Sequence, residues 1–377
     1  MRVAFLYRGP LERARLSLML QGVSRAFGPV KFRWLVPWGP AVASALGKAA
    51  YAEFLSSNAG AIEDDRQLDG RTASFRRTRR TLTNELGLPD VVVCFGFTSL
   101  LYGRALNPNR LAWVVNGLPE ERLIHRDTLR AAAMTRVLWR SVRMGRRPHL
   151  TVVVSERMRS LLTERLGPMP FLVIPSCTDV ALFRPPASTS RRFHTYLGTG
   201  APWQGLDLLG SVWSELAKRD PSVAFRVVSK DARTRVLGQA VPQDRVEFVA
   251  GSRPEEVAKF LWQAEAGFLL RRPNVVNSLA APAKFAEYVA SGTPVIATDT
   301  GWDLASFVRE TRCGLVLTPT DPPEVMATSY LTFRDRGGLL DAQRACLEAA
   351  PRLDRSIHAD RLARALRDLA PSGAEAA

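Results

Sequence analysis

The residues of this chain that could do chemistry are concentrated in one stretch, 267–301. Lys284 and Glu287 lie three positions apart in the first turns of a predicted helix that begins after Pro282. An apolar segment ending in Arg271 precedes this helix and another apolar segment follows it, so the pattern is strand, loop, helix, strand. In an open parallel sheet, ligands bind beyond the carboxyl ends of strands, and helix N-termini there attract phosphate. We therefore predict that Lys284 meets a diphosphate and that the Glu287 carboxylate accepts hydrogen bonds from a ribose.

The same pair of residues has a purely structural interpretation. Lysine and glutamate three apart on a helix commonly form a solvated face. Here the pair directly follows a strand and a polar loop, and Gly292 closes the helix before the next strand. That position favours ligand binding. The ligand-binding set from this stretch also includes Asn277, Ser278 and Ala281.

The elements that must position these residues form two α/β halves in tandem. Each half opens with an apolar strand, a helix and a second strand, from VAFLY to KFRWLV in the first and from FHTYL to FRVV in the second. A proline-rich segment near 175–190 predicts a linker. We predict an α/β fold of two Rossmann-like domains facing across a cleft, residues 1–175 and 190–350. Residues 351–377 are predicted to form a helix and tail, with the helix packing back toward the first domain.

Further candidate residues follow the predicted strands of the first half. Gly9 ends the first strand, where a ligand could approach the backbone closely, although a simple turn also explains it. Asn116 and Glu120 follow the strand LAWVV and face the same side as Gly9. His125 comes shortly afterwards and would serve as a sugar contact or a proton acceptor. A single histidine without a partner is more commonly structural.

Composition indicates which class of protein this chain belongs to. A chain of 377 residues with 46% hydrophobic residues suits two globular domains. Its apolar runs are shorter than the roughly 18–20 residues that span a membrane, and the run before Arg8 is too short for a secretory signal. The four cysteines are far apart, which predicts neither disulfides nor a metal site. We expect a cytoplasmic protein.

Positive charge is concentrated in the first half. Residues 1–170 hold 27 Lys and Arg against 13 Asp and Glu, whereas the remaining residues are nearly balanced. The arginines cluster in 71–80 and in a predicted amphipathic helix that ends near Arg147. Such a helix suits an anionic membrane surface, and a solvated face is the alternative. Nucleic acid is not expected, because aromatic residues are not interleaved with the arginines and no binding motif is present.

The residues of the second half resemble a known family. PAKFAEYVASGTPVIAT (282–298), followed by GWDLASFV and CGLVL, is similar to the donor-binding half of retaining glycosyltransferases of the GT-B fold. It is closest to the family 4 group that acts on bacterial surface polysaccharides and related glycans. The resemblance extends to VVVSERM and VIPSCTDVALFRP, so it covers most of the chain. A divergent subgroup shows an asparagine and then Pro-x-Lys-x-x-Glu-Tyr, which Asn277, Pro282, Lys284, Glu287 and Tyr288 fit.

The chain departs from the family pattern at three positions. The family usually carries two glutamates separated by seven residues; Glu287 matches the second, but the first falls at Leu279. The family also places an arginine and a lysine in the loop after the first strand of the donor domain, where this chain has Thr199 and Gln204. Arg271 or Arg272 would replace those missing diphosphate cations.

The glycine turn at Gly198 has two interpretations. It ends a strand and nearly matches GxGxxG, which would indicate an NAD-binding Rossmann enzyme. Trp203 occupies the third position and is too large for the close packing that glycine permits there. The resemblance instead makes it the donor-binding turn of a glycosyltransferase, with Gly198, Gly200 and Gln204 at the donor and Lys230, after the next strand, as a weaker contact.

The resemblance implies transfer of a sugar from a nucleotide-sugar donor to an acceptor hydroxyl, with retention of anomeric configuration. The implied donor contacts include Gly9, and the implied acceptor contacts are Asn116 and Glu120. Lys284, Arg272 and His125 are the candidates for catalysis, because charge that develops on the departing diphosphate needs cations. The implied enzyme needs neither cofactor nor metal, and its acceptor is a glycan, a lipid-linked glycan or a small molecule. A non-catalytic nucleotide- or carbohydrate-binding protein on the same fold is the alternative.

Overall fold

The computed structural model describes residues 2–7, 13–36, 51–69, 71, 74–120, 129–187, 189–251 and 253–369. The chain divides into two compact units. The first unit comprises residues 1–174 and 356–377, and the second comprises residues 175–355.

The first unit is built on a seven-stranded parallel sheet with the order β3-β2-β1-β4-β5-β6-β7. The chain order reverses between β1 and β4, as in a doubly wound fold. Both faces of the central strands are covered, which is why VAFLY and VVVCF are apolar throughout. The strands are β1 (Val3–Tyr7), β2 (Val30–Val36), β3 (Ile62–Asp69), β4 (Val91–Phe95), β5 (Arg110–Val115), β6 (Leu150–Val153) and β7 (Phe171–Val173).

Helices connect these strands. Residues 51–57 are helical, and the helices with described bounds in this part of the chain are α1 (Arg13–Phe27), α2 (Phe75–Leu86), α3 (Phe97–Ala105), α4 (Leu129–Met144) and α5 (Glu156–Leu166). A side chain caps the start of α5: the Ser155 hydroxyl accepts a hydrogen bond from the backbone N–H of Met158.

The second unit repeats this design with a six-stranded parallel sheet of order β10-β9-β8-β11-β12-β13. Its chain order reverses between β8 and β11. The strands are β8 (Phe193–Leu197), β9 (Ala224–Val228), β10 (Val246–Val249), β11 (Ala264–Leu269), β12 (Val295–Thr298) and β13 (Gly314–Leu317). The helices are α6 (Val180–Phe183), α7 (Leu206–Arg219), α8 (Pro254–Trp262), α9 (Val275–Leu279), α10 (Ala283–Ala290), α11 (Asp303–Thr311), α12 (Pro323–Asp335) and α13 (Gly338–Ala349).

The chain returns to the first unit through its last described helix, α14 (Arg355–Arg367). Leu362 of α14 packs against α1 at Gly22, where any Cβ would lie 2.6 Å from the leucine Cδ2. Arg25 of α1 forms an ion pair with Asp360 at 2.9 Å. The predicted α/β fold and the predicted return of the C-terminal helix are therefore confirmed.

Two elements differ from the sequence-based expectation. Residues 62–69 lack the apolar pattern that predicts a strand, yet they form the edge strand β3, which pairs in parallel with β2. The acidic side chains are tolerated there because β3 is partly exposed along its length, and Arg33 of β2 forms an ion pair with Asp64 at 2.7 Å. The segment after Pro175, predicted as a linker, packs within the second unit: Phe183 is buried and its carbonyl accepts a hydrogen bond from Trp262.

Candidate functional site

The candidate site lies in the second unit, at the carboxyl ends of β8 and β11. These two strands are neighbours in the sheet, but the chain continues from β8 toward one edge and from β11 toward the other. The chain therefore reverses its direction of progress through the sheet between these two strands, which is the position where ligands bind in this class of fold. The turn beginning at Gly198 follows β8, and Arg271 follows β11 shortly before α10 carries Lys284.

Two cationic side chains converge at this point on one oxygen atom. The Lys284 Nζ donates a hydrogen bond to the Oε1 of Gln204 at 2.9 Å. The Nη2 of Arg271 donates to the same Oε1 at 3.1 Å. Gln204 can reach both because its turn is pressed against the end of β11: Gly205 has a φ of 68°, and a Cβ there would lie 2.5 Å from the carbonyl oxygen of Leu270. Two like charges are thus held together by a neutral amide.

Both cations are withdrawn from solvent. Lys284 is 8% exposed and Arg271 is 3% exposed. Burial, followed by the nearby Arg271 charge, lowers the pKa of Lys284 well below its usual value, while Glu287 opposes that shift. Burial also lowers the pKa of Arg271 to about 10. Among the described residues, no carboxylate forms an ion pair with either side chain. This part of the unit therefore holds two buried basic side chains that form no ion pair with a described carboxylate.

Arg271 is fixed by neutral groups. Its Nη1 donates to the Oδ1 of Asn277 at 3.3 Å, and its guanidinium lies 5.3 Å from the centre of the Trp302 ring. Its backbone N–H donates to the Thr298 hydroxyl at 2.7 Å. The buried Nε has no hydrogen-bond partner among the described residues. Asn277 is itself anchored, because its Nδ2 donates to the Arg272 carbonyl at 2.8 Å. The guanidinium is oriented but retains an unused donor.

Glu287 lies one turn beyond Lys284 on α10. Burial raises the pKa of its carboxyl to about 7, against the attraction of Lys284 and Arg355. Its side chain is partly exposed and makes no hydrogen bond to described residues. The carboxylate therefore keeps its acceptor capacity for a ligand hydroxyl.

The glycine turn after β8 lies directly against the lysine. Gly198 has a φ of 142°, and a Cβ there would lie 2.5 Å from the Lys284 Nζ. The next glycine, Gly200, donates its backbone N–H to the Oδ2 of Asp231 at 2.9 Å. Asp231 follows β9 and was not predicted from the sequence, because an aspartate beside Arg233 resembles an ordinary surface ion pair. It ties the loops after β8 and β9 together.

Tyr288 has a structural role. Its hydroxyl accepts a hydrogen bond from the backbone N–H of Leu197 at 2.8 Å, and its ring fills the space beside Gly267, where a Cβ would lie 2.7 Å away. Helical periodicity puts Lys284 and Tyr288 off the apolar side formed by Phe285 and Val289, yet both are buried. Helical periodicity alone did not reveal this, because loops from distant strands cover the helix.

Other predicted donor residues are placed outside the cation pair. Arg272 is exposed and forms an ion pair with Asp207 at 2.8 Å. Lys230 is exposed after β9, with no hydrogen bond to the described residues. The Ser278 hydroxyl donates to the Val275 carbonyl at 3.1 Å, and Ala281 lies partly buried in the loop before α10.

The predicted residues of the first unit are only partly described. Gly9 and His125 lie outside the described residues. Asn116 follows β5 and is partly buried. The Glu120 carboxylate accepts hydrogen bonds from Arg165 and from the Trp139 indole, the latter at 3.1 Å, which is the arrangement of a structural ion pair.

None of the helices in the described ranges is long and apolar enough to cross a membrane. Within the same ranges, no cluster of three or more histidine, cysteine, aspartate or glutamate side chains is arranged to hold a metal ion.

Comparison with known proteins finds a family match within the second unit. Residues 192–333 match the family described as glycosyl transferases group 1. A mannosyltransferase from Mycolicibacterium hassiacum, named MMP α-(1→4)-mannosyltransferase, is 28% identical over 204 residues. That alignment covers 52% of this chain and 46% of the relative, so the chain spans about half the length of the curated relative it matches.

Solved structures share the fold across nearly the whole chain. Sucrose-phosphate synthase from Thermosynechococcus elongatus has a TM-score of 0.73 at 14% identity, covering 98% of this chain and 99% of its own. HepE from Anabaena, solved with UDP-glucose, also has a TM-score of 0.73 at 14% identity, covering 98% of this chain and 100% of its own. With the family match over residues 192–333, these findings confirm the resemblance predicted from the sequence. Residues 192–333 therefore match the group 1 glycosyltransferase family, and the chain has the GT-B fold.

Proposed function

We propose that this chain transfers a sugar from a nucleotide-sugar donor to an acceptor hydroxyl, with retention of anomeric configuration. The observation that carries the proposal is the buried pair of cations, Arg271 and Lys284, which converge on one oxygen without a carboxylate partner among the described residues. An anionic ligand that supplied oxygen atoms at this point would neutralise both charges. The pair lies at the switch point of a parallel sheet, where nucleotides bind in this class of fold.

The geometry suits a nucleoside diphosphate as that ligand. The first turn of α10 contributes the Lys284 side chain, and the turn at Gly198 contributes backbone close to the Lys284 Nζ. Together these groups fit a diphosphate. Glu287, one turn further along α10, has a carboxylate free to accept hydrogen bonds from ribose hydroxyls. The solved relative HepE binds UDP-glucose, so uridine nucleotides are the first donors to test.

The same cations would promote the chemical step. Negative charge builds on the diphosphate as its bond to the sugar breaks, and buried donors stabilise that charge more strongly than exposed ones. Arg271 is already oriented by Asn277, so little reorganisation is needed as charge develops. In the proposed mechanism the acceptor attacks on the face that the diphosphate leaves, and a diphosphate oxygen accepts the acceptor proton. This route uses no protein nucleophile, cofactor or metal.

The proposed acceptor is a glycan hydroxyl, including that of a lipid-linked glycan. The basic first unit would hold such an acceptor at an anionic membrane surface, which gives the protein a peripheral location on the inner face of the membrane. Asn116 remains the proposed acceptor contact. Glu120 is no longer proposed as a direct acceptor contact. Its ion pair with Arg165 would instead position the loop after β5.

The alternative is a protein that binds a nucleotide or carbohydrate without turning it over. It is motivated by Leu279, which is buried and apolar where the family carries a glutamate, and by Gln204 where the family carries a lysine. Calorimetric titration with UDP, GDP and ADP, followed by a donor-consumption assay with glycan acceptors, separates the two. Binding followed by product with a retained anomeric configuration, determined from NMR couplings, supports the transferase. Tight binding without turnover supports the alternative.

Matched double variants test the binding site itself. Lys284→Ala with Glu287→Ala should abolish affinity for nucleoside diphosphates. Lys259→Ala with Glu255→Ala changes the same residue types on α8, where both side chains are exposed, and should leave affinity unchanged. Wild-type affinity in the first variant would contradict the proposed site.

A further inference from the structure

The outward face of α4 has an unusual composition for a surface helix. Leu129 is 92% exposed, Met144 is 72% exposed and Val137 is 57% exposed. Arg136, Arg140 and Arg143 are exposed on the same helix. At 100° per residue these six positions fall within one sector of about 120°, the outward stripe, with Val137 and Met144 at one edge, Arg143 at the other and Leu129 between Arg136 and Arg140.

The opposite face of α4 is firmly packed. Leu138 and Val142 are buried, and Trp139 makes an edge contact with Phe97 of α3 at 5.1 Å between ring centres. Arg104 of α3 donates to the carbonyls of Ser141 and Val142, at 2.9 and 3.0 Å. The outward stripe is therefore fixed in place and cannot turn its apolar side chains inward.

The arginines of the stripe form no ion pair with the carboxylates that the structure describes. The sequence from Leu129 to Ser155 contains no acidic residue. In the described part of the chain, Arg136 and Arg140 form neither a hydrogen bond nor an ion pair. Arg143 contacts only the carbonyl of Arg165, at 3.3 Å. These cations are available to an external anion.

A second basic helix lies in the same layer. Phe75 of α2 packs on Tyr102 of α3 at 4.6 Å between ring centres, so α2 and α4 both contact α3. Four arginines of α2 are exposed: Arg76, Arg77, Arg79 and Arg80. The positive charge thus extends beyond α4 across this layer of the first unit.

We propose that the outward stripe of α4 docks on an anionic lipid bilayer, with Leu129, Val137 and Met144 entering the boundary between headgroups and acyl chains. A hydrophilic polyanion would bind the arginines but would leave the three apolar side chains in water. A bilayer interface offers both lipid phosphates and an apolar layer. The inference rests on the proposed function for its purpose, the delivery of a membrane-held acceptor, but docking itself needs no catalysis.

Sedimentation with vesicles tests the charge component. Wild-type protein should pellet with vesicles containing phosphatidylglycerol and remain in solution with phosphatidylcholine vesicles. Each near-surface arginine strengthens partitioning by about fivefold, so the triple variant R136Q/R140Q/R143Q should bind on the order of 100-fold more weakly. The control R253Q/R336Q/R344Q removes the same charge from exposed positions of the second unit and should bind as wild type. Equal pelleting of the two variants would overturn the proposal.

A fluorescent label tests insertion. All four native cysteines are buried, so Val137→Cys can be labelled selectively with an environment-sensitive dye. Its emission should shift to the blue with anionic vesicles, whereas a label at Val325→Cys, an exposed position of the second unit, should not shift. Binding of duplex DNA as tight as vesicle binding, with no shift at position 137, would assign the stripe to a polyanion and refute docking on lipid. Nucleoside diphosphate titration of the same variants should be unchanged, which separates this inference from the proposed transferase.

Discussion

Replacement of Lys284 by methionine should weaken ligand binding while it stabilises the protein. Methionine is close to lysine in length and fills the same buried space without a charge. A charge-assisted hydrogen bond to a phosphate in a buried site contributes roughly 2 kcal/mol, so Lys284→Met should reduce affinity for a nucleoside diphosphate by about 30-fold.

The expected gain in stability follows from the contacts of the lysine. Without Lys284, the Oε1 of Gln204 still accepts a hydrogen bond from Arg271, so no polar atom loses its last partner. The buried charge and its repulsion with Arg271 are both removed. The contact of Nζ with the Tyr196 ring, at 4.4 Å, is lost and offsets part of the gain. A net gain of about 1 kcal/mol would raise the melting temperature by roughly 2–4 °C.

Calorimetric titration with UDP, GDP and ADP and thermal unfolding without ligand measure the two effects. Lys259→Met is the matched control, because Lys259 is exposed on α8 and should change neither quantity. If Lys284→Met lowered the melting temperature, the lysine would serve the fold. If it left nucleotide affinity unchanged for every ligand, the cation pair would not be the diphosphate site. Either result refutes the reasoning above.

Three further variants probe the same site. Gly198→Ala places a Cβ 2.5 Å from the Lys284 Nζ at a φ of 142°, so calorimetry should show loss of nucleotide affinity and thermal unfolding a stability loss of roughly 1–3 kcal/mol. Gln204→Glu puts a carboxylate between the two cations, which should raise the melting temperature and weaken nucleotide binding, because an internal anion competes with the ligand. For Glu287→Gln, the direction of the pH effect on stability follows from the pKa of the Glu287 carboxyl, which is about 7 in the folded protein and near 4.3 in the unfolded chain. In the wild type this carboxyl is protonated in both the folded and unfolded states at low pH, and the free energy of unfolding falls as pH rises from about 5 to 8. The Gln variant should therefore become more stable relative to the wild type over that range, by on the order of 1–3 kcal/mol. Thermal unfolding at each pH measures this difference.

The fold could be predicted from the sequence because the signals that begin and end its strands and helices are local. Buried parallel strands appear as short apolar runs, and glycines such as Gly292 mark the ends of helices. The strand β3 was missed because its residues IEDDRQLD lack an apolar period. β3 is an edge strand that pairs with β2 alone, so its side chains need no alternating apolar pattern. Arg33 of β2 stabilises it through the ion pair with Asp64.

The candidate site was predicted in its residues but not in its arrangement. Lys284 and Arg271 could be identified because each lies next to the end of an apolar element. Their burial could not be predicted, since it depends on a turn some 80 positions earlier, which brings Gln204 onto both side chains. Asp231 was missed for the same reason: its contact with Gly200 joins two loops that share no sequence pattern.

Comparison with two other buried arginines, Arg33 and Arg226, shows what distinguishes the cation pair. Arg33 is 1% exposed and is neutralised by Asp64 and Glu85, at 2.7 and 3.0 Å. Arg226 is 4% exposed and pairs with Glu247 at 2.8 Å. Arg271 is equally buried, yet its side-chain hydrogen bonds go to amide oxygens only. Amide oxygens orient a guanidinium without cancelling its charge, and leaving that charge buried costs stability unless an external anion completes it. The departure from the pattern set by Arg33 and Arg226 is therefore what a site for an anionic ligand requires, and it is found at the switch point of the sheet.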